Sequence, residues 1–331
     1  MTITMYPLRF EPIFQYRLWG GRRLAEVLDA PLPGDGPIGE AWLLSDRSDH
    51  ASRIANGPLK GRTLGELLVE APEAVMGALA GRFDRFPLLL KLLDAQEMLS
   101  VQVHPSDAHS DLLPAGESGK TEAWVVLRAG PQSRIYAGLK SGTTPSALRA
   151  AIDGKDPTDF LAGFRPEPSD AVLVEAGTVH SLGGDVVVFE IQQNSDVTFR
   201  LYDWNHVDPR TGKPRALQVD QALACVDFAQ GPILPVVPVA PEHTTQRERL
   251  LQCEKFALWR VRARAPFPVG AAGEPRVLLP IEGEGQVEHD GQLWEARRGE
   301  VVLLPAALGS CIFRPRESVT LLEMAIPAPS P

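Results

Sequence analysis

Apolar and polar positions alternate strictly from Leu99 through His104 in the run LSVQVHP. In an extended strand that period points Ser100, Gln102 and His104 to one face and Leu99, Val101 and Val103 to the other. The same period in GKTEAWVVL groups Lys120, Glu122 and Trp124, with Thr121, Ala123 and Val125 behind them. Farther on, Val188, Glu190 and Gln192 share one strand face, and Thr198, Arg200 and Tyr202 share another. These are strands whose apolar face backs a polar one.

Helical signals are short and scattered among them. Thr63 and Glu66 have capping-box spacing before LLVEAPEAVMGALAG, and Pro72 divides that segment into two short helices. A further helix begins at Thr144, with Pro145 in its first turn, and ends at Gly154. RALQVDQALACVDF is another candidate, and QYRLWGGRRLAEVL reads as a loop entering a short helix. GPIGEAWLLSD reads as a strand. Helices do not alternate regularly with strands, which argues against a doubly wound sheet.

The segment ILPVVPVAPEHTTQ, rich in proline and valine, reads as a connector between two halves, 1–235 and 236–331. Beyond it, LLPIEGEGQVEHDGQLWEARRGEVVLLPAALGS has the strand, glycine turn, hairpin and strand order of a small β-barrel. With 29 glycines and 30 prolines in 331 residues, many short strands joined by turns are the expected content. The chain is therefore expected to be mainly β, with short helical insertions.

Charge and cysteine usage narrow the function classes. The net charge of −9 gives no basic surface for nucleic acid or an anionic membrane, so an anionic substrate would need a local basic pocket. Three widely spaced cysteines, Cys225, Cys253 and Cys311, form neither a disulfide framework nor a thiolate metal site, which suits a reducing cytoplasm. The N-terminal stretch lacks a secretory pattern, and no apolar run is long enough to span a membrane. Nothing in the sequence fixes an oligomeric state.

Chemistry concentrates at four positions. Gln102, His104 and Glu122 lie on alternating strands, and His180 sits in AGTVHSLGG, where flanking glycines suggest a tight turn at a strand end. Two imidazoles, one carboxylate and one amide oxygen suit a borderline divalent ion such as zinc, one per chain. The other histidines, His50, His109, His206, His243 and His289, stand outside that grouping. Arg200 could equally form a strand-end salt bridge with Asp203 or Asp196. Lys91 could be a surface lysine guarding an edge strand.

Taken together, LWGGRRL, GPIGEAWLLSD, LLLKLLDAQEMLSVQVHPSD, GKTEAWVVL, AGTVHSLGG and FEIQQNSDVTFRLYDW resemble the class I phosphomannose isomerases, in the compact bacterial form. The resemblance covers most of the chain and implies two cupin-like (jelly-roll) barrels, the second without a metal, since Leu308 stands where a metal-binding turn would present a histidine. It implies Zn2+ on Gln102, His104, Glu122 and His180. It makes Glu190, Arg200 and Lys120 catalytic, and it sets Lys91, Ser100, Lys120 and Arg200 around a sugar phosphate. Two positions depart from the pattern. Glu175 replaces the usual proline two residues before the turn glycine, and Gln218 stands where many relatives carry histidine.

The activity implied is interconversion of mannose 6-phosphate and fructose 6-phosphate by proton transfer between C1 and C2. An isomerase of unphosphorylated sugars is one alternative. A non-catalytic sugar-binding cupin is another, although a pure binder needs no acid–base group beside a metal.

Overall fold

The structure is a computed structural model and describes residues 3–239 and 247–327. Antiparallel sheets dominate it. In the N-terminal half, a six-stranded sheet runs in the spatial order Ile13–Gln15, Glu40–Leu44, Leu88–Ala95, Val186–Gln193, Glu122–Ala129, Ala171–Val174. A five-stranded sheet runs Phe199–Tyr202, Val101–Val103, His180–Gly183, Arg134–Leu139, Leu161–Phe164.

Alternation sorts these strands between three apolar layers. On Val186–Gln193, Val186 and Val188 enter a core with Leu93, Trp124, Val126, Ile135 and Leu182, between the two sheets. Val187, Phe189 and Ile191 point the other way, into a core shared with the C-terminal half that includes Leu250, Phe256 and Leu258. Val101 and Val103 back the five-stranded sheet, where Leu148, Ile152 and Ala222 of two short helices cover them. The face between the sheets is apolar at one end and polar at the other, where Glu190, Lys91 and Glu122 lie. Leu99 departs from the expected alternation. It precedes the strand, which spans only Val101–Val103, and joins the inter-sheet core instead of the outer one.

The helical signals are realised where the caps predict them. Leu64–Glu70 starts at the Thr63/Glu66 capping box, and Pro72 opens the separate helix Pro72–Met76. Thr144 caps Pro145–Asp153, and Gly154 ends it. The later candidates become Leu24–Leu28 and Val219–Cys225.

In the C-terminal half, Arg247–Gln252, Ala257–Ala263, Val319–Ala325, Arg276–Glu282 and Val302–Leu304 build a sheet completed by Leu8–Arg9 from the chain's start. A four-stranded sheet contains the hairpin Gly285–His289/Gln292–Ala296, turned at Asp290–Gly291 with both φ values positive, as a two-residue primed turn requires. Leu308 packs into the large core. The connector is strand-free up to a single bridge at Val239, and it is held by Ile233 N–H to Ala137 O and Val236 N–H to Ala171 O. Its remainder, including His243, lies outside the described residues.

Glycines join the entry loop to the sheet. A Cβ on Gly20 would lie 2.4 Å from Gly39 N, and one on Gly39 would lie 2.5 Å from Arg17 Cβ and 2.8 Å from the Trp19 ring. Gly39→Ala should therefore displace Arg17 and Trp19 and cost about 1–3 kcal/mol, read as a lower urea midpoint. An unchanged midpoint would mean that the loop yields freely.

Candidate active site

Sheet register assembles the metal donors. His180 pairs directly with Gln102 across the five-stranded sheet, while Glu122 reaches in from the six-stranded one. Glu122, His104 and His180 offer ligand atoms within 4.8 Å of one another, and all three are buried. Glu122 Oε2 is 3.4 Å from His104 Nε2, and its Oε1 is 3.4 Å from His180 Nε2. Each imidazole places Nδ1 2.8 Å from a backbone carbonyl, Val197 O for His104 and Thr178 O for His180. A proton on Nδ1 leaves the Nε2 lone pair for a cation.

The chemistry of the donor set fits a divalent metal. Both Glu122 carboxylate oxygens are buried, and Oε1 has no hydrogen-bond partner among the described residues, while Oε2 is met by the Lys120 ammonium. Burial, reinforced by Lys120, pushes His104 down to about 3, and burial lowers His180 as well, so both rings are neutral. Burial alone would raise Glu122, but Lys120 and the two histidines hold it well below the usual carboxylate range. The Gln102 amide faces His180 Nε2 at 3.2 Å and meets Ser100 Oγ at 3.0 Å. In that placement the amide nitrogen faces His180 and the oxygen accepts from Ser100; because a hydroxyl can also accept from the nitrogen, the flipped amide that turns its oxygen towards the donors keeps the Ser100 bond. Lys120 Nζ lies 2.6 Å from Glu122 Oε2 and 3.2 Å from His104 Nε2.

A buried charge cluster adjoins the donors. Glu190 is opposite Lys91 on one side and Trp124 on the other. Lys91 is 2 % exposed on an interior strand, which excludes the edge-guarding role. Its ammonium lies 3.2 Å from Asp196, 3.6 Å from Glu190 and 4.0 Å from Glu40. The Trp124 indole donates to Glu190 Oε2 at 2.9 Å. Burial, with the Glu122 charge, pushes Glu190 up to about 7. Glu40 receives both Arg17, at 2.9 and 3.0 Å, and the Trp42 indole at 2.7 Å.

The charge cluster opens onto a cavity of about 380 Å³, lined by Lys91, Ser100, Gln102, Lys120, Glu190 and Arg200 among others, and Gln102 and Lys120 connect it to His104, Glu122 and His180 behind its wall. Neither salt bridge considered for Arg200 forms. Asp203 is held by Arg215, and Asp196 by Lys91. Among the described residues no carboxylate lies within 4.0 Å of the Arg200 guanidinium, and its Nε is buried without a partner. Gln218, the departure from the family pattern, holds the Arg200 backbone from both sides: its N–H donates to Arg200 O at 2.9 Å, and its Oε1 accepts from Arg200 N at 3.2 Å. Glu175 leaves Gly177 in its positive-φ turn, so His180 keeps its place.

Reading the sequence missed Arg17, Glu40, Asp196 and Arg215 as lining residues. One signal was present for Glu40: the tripeptide EAW occurs at Glu40–Trp42 and again at Glu122–Trp124, each placing a carboxylate and an indole on one strand face. His50, His109, His206 and His289 lie outside the donor set.

The cluster makes the protein acid-sensitive in a defined direction. Burial opposes ionisation of Glu40, yet Lys91 and Arg17 hold its carboxyl below the ordinary value. A carboxyl that is more acidic folded than unfolded contributes stability above its unfolded pKa of about 4.3, and that contribution is lost as pH falls through the folded value. Glu40→Gln should cost about 3 kcal/mol at pH 7 and flatten the fall of the urea midpoint below pH 5. A wild-type slope retained in the variant would overturn this reading.

Residues 8–121 match the model of the phosphomannose isomerase type I catalytic domain. The chain is 34% identical over 319 residues to mannose-6-phosphate isomerase ManA of Bacillus subtilis (strain 168), covering 93% of this chain and 95% of that one. It is 28% identical to a mannose-6-phosphate isomerase of Streptococcus mutans, with 93% and 95% covered. The crystal structure of the mannose 6-phosphate isomerase from Bacillus subtilis superposes with a TM-score of 0.88 at 29% identity, covering 97% of this chain and all of that one. With the sheets, the buried donor set and the acidic–basic cavity all in a chain this similar end to end, the protein belongs to the type I phosphomannose isomerases and is an isomerase enzyme.

Proposed function

We propose that the protein interconverts mannose 6-phosphate and fructose 6-phosphate in the cytoplasm, using zinc held by Gln102, His104, Glu122 and His180. One observation carries the reading: a cavity lined by an acid–base carboxyl, Glu190, and an unpaired guanidinium, Arg200, adjoins the buried His104, Glu122 and His180 set through Gln102 and Lys120. We also read the paired sheets as two cupin-like barrels dividing near residue 235, with the second serving packing.

An aldose–ketose isomerase opens the ring, moves a proton between C2 and C1, and stabilises the oxyanion that develops between them. Glu190 is the group assigned to the proton. Its position near 7 makes both protonation states accessible at neutral pH, the condition under which one carboxyl both takes and returns a proton. General acid–base catalysis of this kind contributes about 10²–10⁴-fold. Trp124 fixes one carboxylate oxygen and Lys91 faces the other, so the side chain keeps its aim. Zinc, when bound, supplies Lewis-acid polarisation of sugar oxygens. Lys120 presents an ammonium between donors and cavity, suited to a developing negative oxygen. Arg200, free of carboxylates, takes the substrate's anionic charge.

Three predictions test this. Purified protein should convert mannose 6-phosphate, lose activity on chelation and regain it with zinc; activity on free mannose alone would shift the assignment to an isomerase of unphosphorylated sugars. His104→Ala or His180→Ala should lower bound metal measured by elemental analysis and abolish turnover. Arg200→Ala should keep the metal and still lose at least about tenfold in kcat/KM.

A further inference from the structure

His104 and Lys120 stand just outside regular strands. Val101–Val103 ends one residue before His104, and Glu122–Ala129 begins two residues after Lys120. The sheet ladders stop short of both, so their backbones must be held from elsewhere. Two links are direct, His104 O accepting from Gly177 N–H and Pro105 O accepting from Lys120 N–H, each at 2.9 Å. The remaining links converge on Asp107, three residues past His104.

Asp107 Oδ1 accepts from Gly119 N–H, next to Lys120, at 2.7 Å. Its Oδ2 accepts from the Gln193 side-chain amide at 3.2 Å, and the oxygen of that same amide accepts from Thr121 N–H at 3.0 Å. Gln193 closes the strand Val186–Gln193 that carries Glu190. From the C-terminal half, Lys255, in the turn between Arg247–Gln252 and Ala257–Ala263, reaches Asp107 Oδ2 at 2.8 Å. One carboxylate thus ties the segments bearing His104, Lys120 with Glu122, and Glu190 to one another and to the second half. The close approach is built into the backbone, since a Cβ on Gly119 would lie 2.4 Å from Asp107 N. Asp107, Gln193 and Lys255 line a separate cleft of about 1300 Å³, and none of them lines the cavity beside Glu190. Their effect on the site therefore passes through the backbone they hold.

We infer that Asp107 is a positioning residue that keeps the metal donors in place relative to Glu190, and that Lys255 makes the C-terminal half part of this brace, a role beyond packing. This rests on the reading of His104, Glu122 and His180 as metal donors and goes beyond it. A carboxylate accepts from two N–H groups and an ammonium at once, whereas an amide in its place offers a single acceptor oxygen. The Lys255 pair is half-exposed, so solvent screens it and its share is the smaller one.

The test uses zinc-loaded protein and reads zinc release to a chromogenic chelator beside turnover. Asp107→Ala should release zinc about tenfold faster and lower kcat about tenfold, with KM held within about threefold. Asp107→Asn, which keeps an acceptor for Gly119 N–H, should recover part of both losses. Lys255→Met should speed release about two- to fivefold, and should add nothing further when combined with Asp107→Ala. A merely structural Asp107 would lower the urea midpoint and leave release and kcat unchanged. That result, or a Lys255→Met effect that is absent or the same in both backgrounds, would overturn the brace. If wild-type protein holds zinc without turning over mannose 6-phosphate, the proposed reaction falls and the release rates still decide this inference. If it holds no zinc, the metal reading falls and amide hydrogen exchange decides instead. Faster exchange in Asp107→Ala across both 102–107 and 118–122 supports the brace, and no change in either segment overturns it.

Discussion

The site depends on the register of one strand. Val186–Gln193 lies between Leu88–Ala95 and Glu122–Ala129, so Glu190 meets Lys91 on one side and Trp124 on the other. A slip by one residue would turn Glu190 into the apolar layer and Phe189 into the cavity. Register is secured by the residues that do no chemistry, since Val187, Phe189 and Ile191 are buried against the C-terminal half. Each such side chain contributes about 1.5–3 kcal/mol of burial, which opposes any slip.

That apolar layer also offsets an expensive arrangement. An ionised group withdrawn from water costs several kcal/mol unless it is matched. Lys91, Glu190, Glu40 and Glu122 are all nearly inaccessible, and each sits against an opposite charge or an indole donor. The indoles differ from the lysine in kind. They orient a carboxylate without neutralising it, so Glu190 is aimed by Trp124 while its affinity for a proton stays high. Glu40, which receives Arg17 and Lys91 as well as Trp42, is driven the other way. Two buried glutamates, each held by a tryptophan, are thereby given opposite proton affinities by their neighbours.

Much of this was legible in residue order, because strand faces and helix caps are local properties. The Thr63–Glu66 box, the break at Pro72 and the turn around Gly177 are encoded within a few residues of themselves. Alternation placed Gln102 with His104 and Glu122 with Lys120, and family resemblance joined them to His180. Choice of ionic partner was not legible. Asp196 and Asp203 are equally plausible neighbours of Arg200 along the chain, yet the fold gives the first to Lys91, 105 residues away, and the second to Arg215. Leu99 was misplaced for a related reason: alternation holds only while the chain is extended, and the strand begins after it.

The pairing of Leu8–Arg9 with Val302 and Leu303 joins the first strand of the chain to nearly the last. During synthesis that edge has no partner until almost the whole polypeptide has left the ribosome, at about 5–20 residues per second. The N-terminal half is thus made before the sheet that anchors its first strand, and the core the two halves share closes only when the C-terminal sheet forms. The seam makes closure of the N-terminal core wait on folding of the C-terminal sheet.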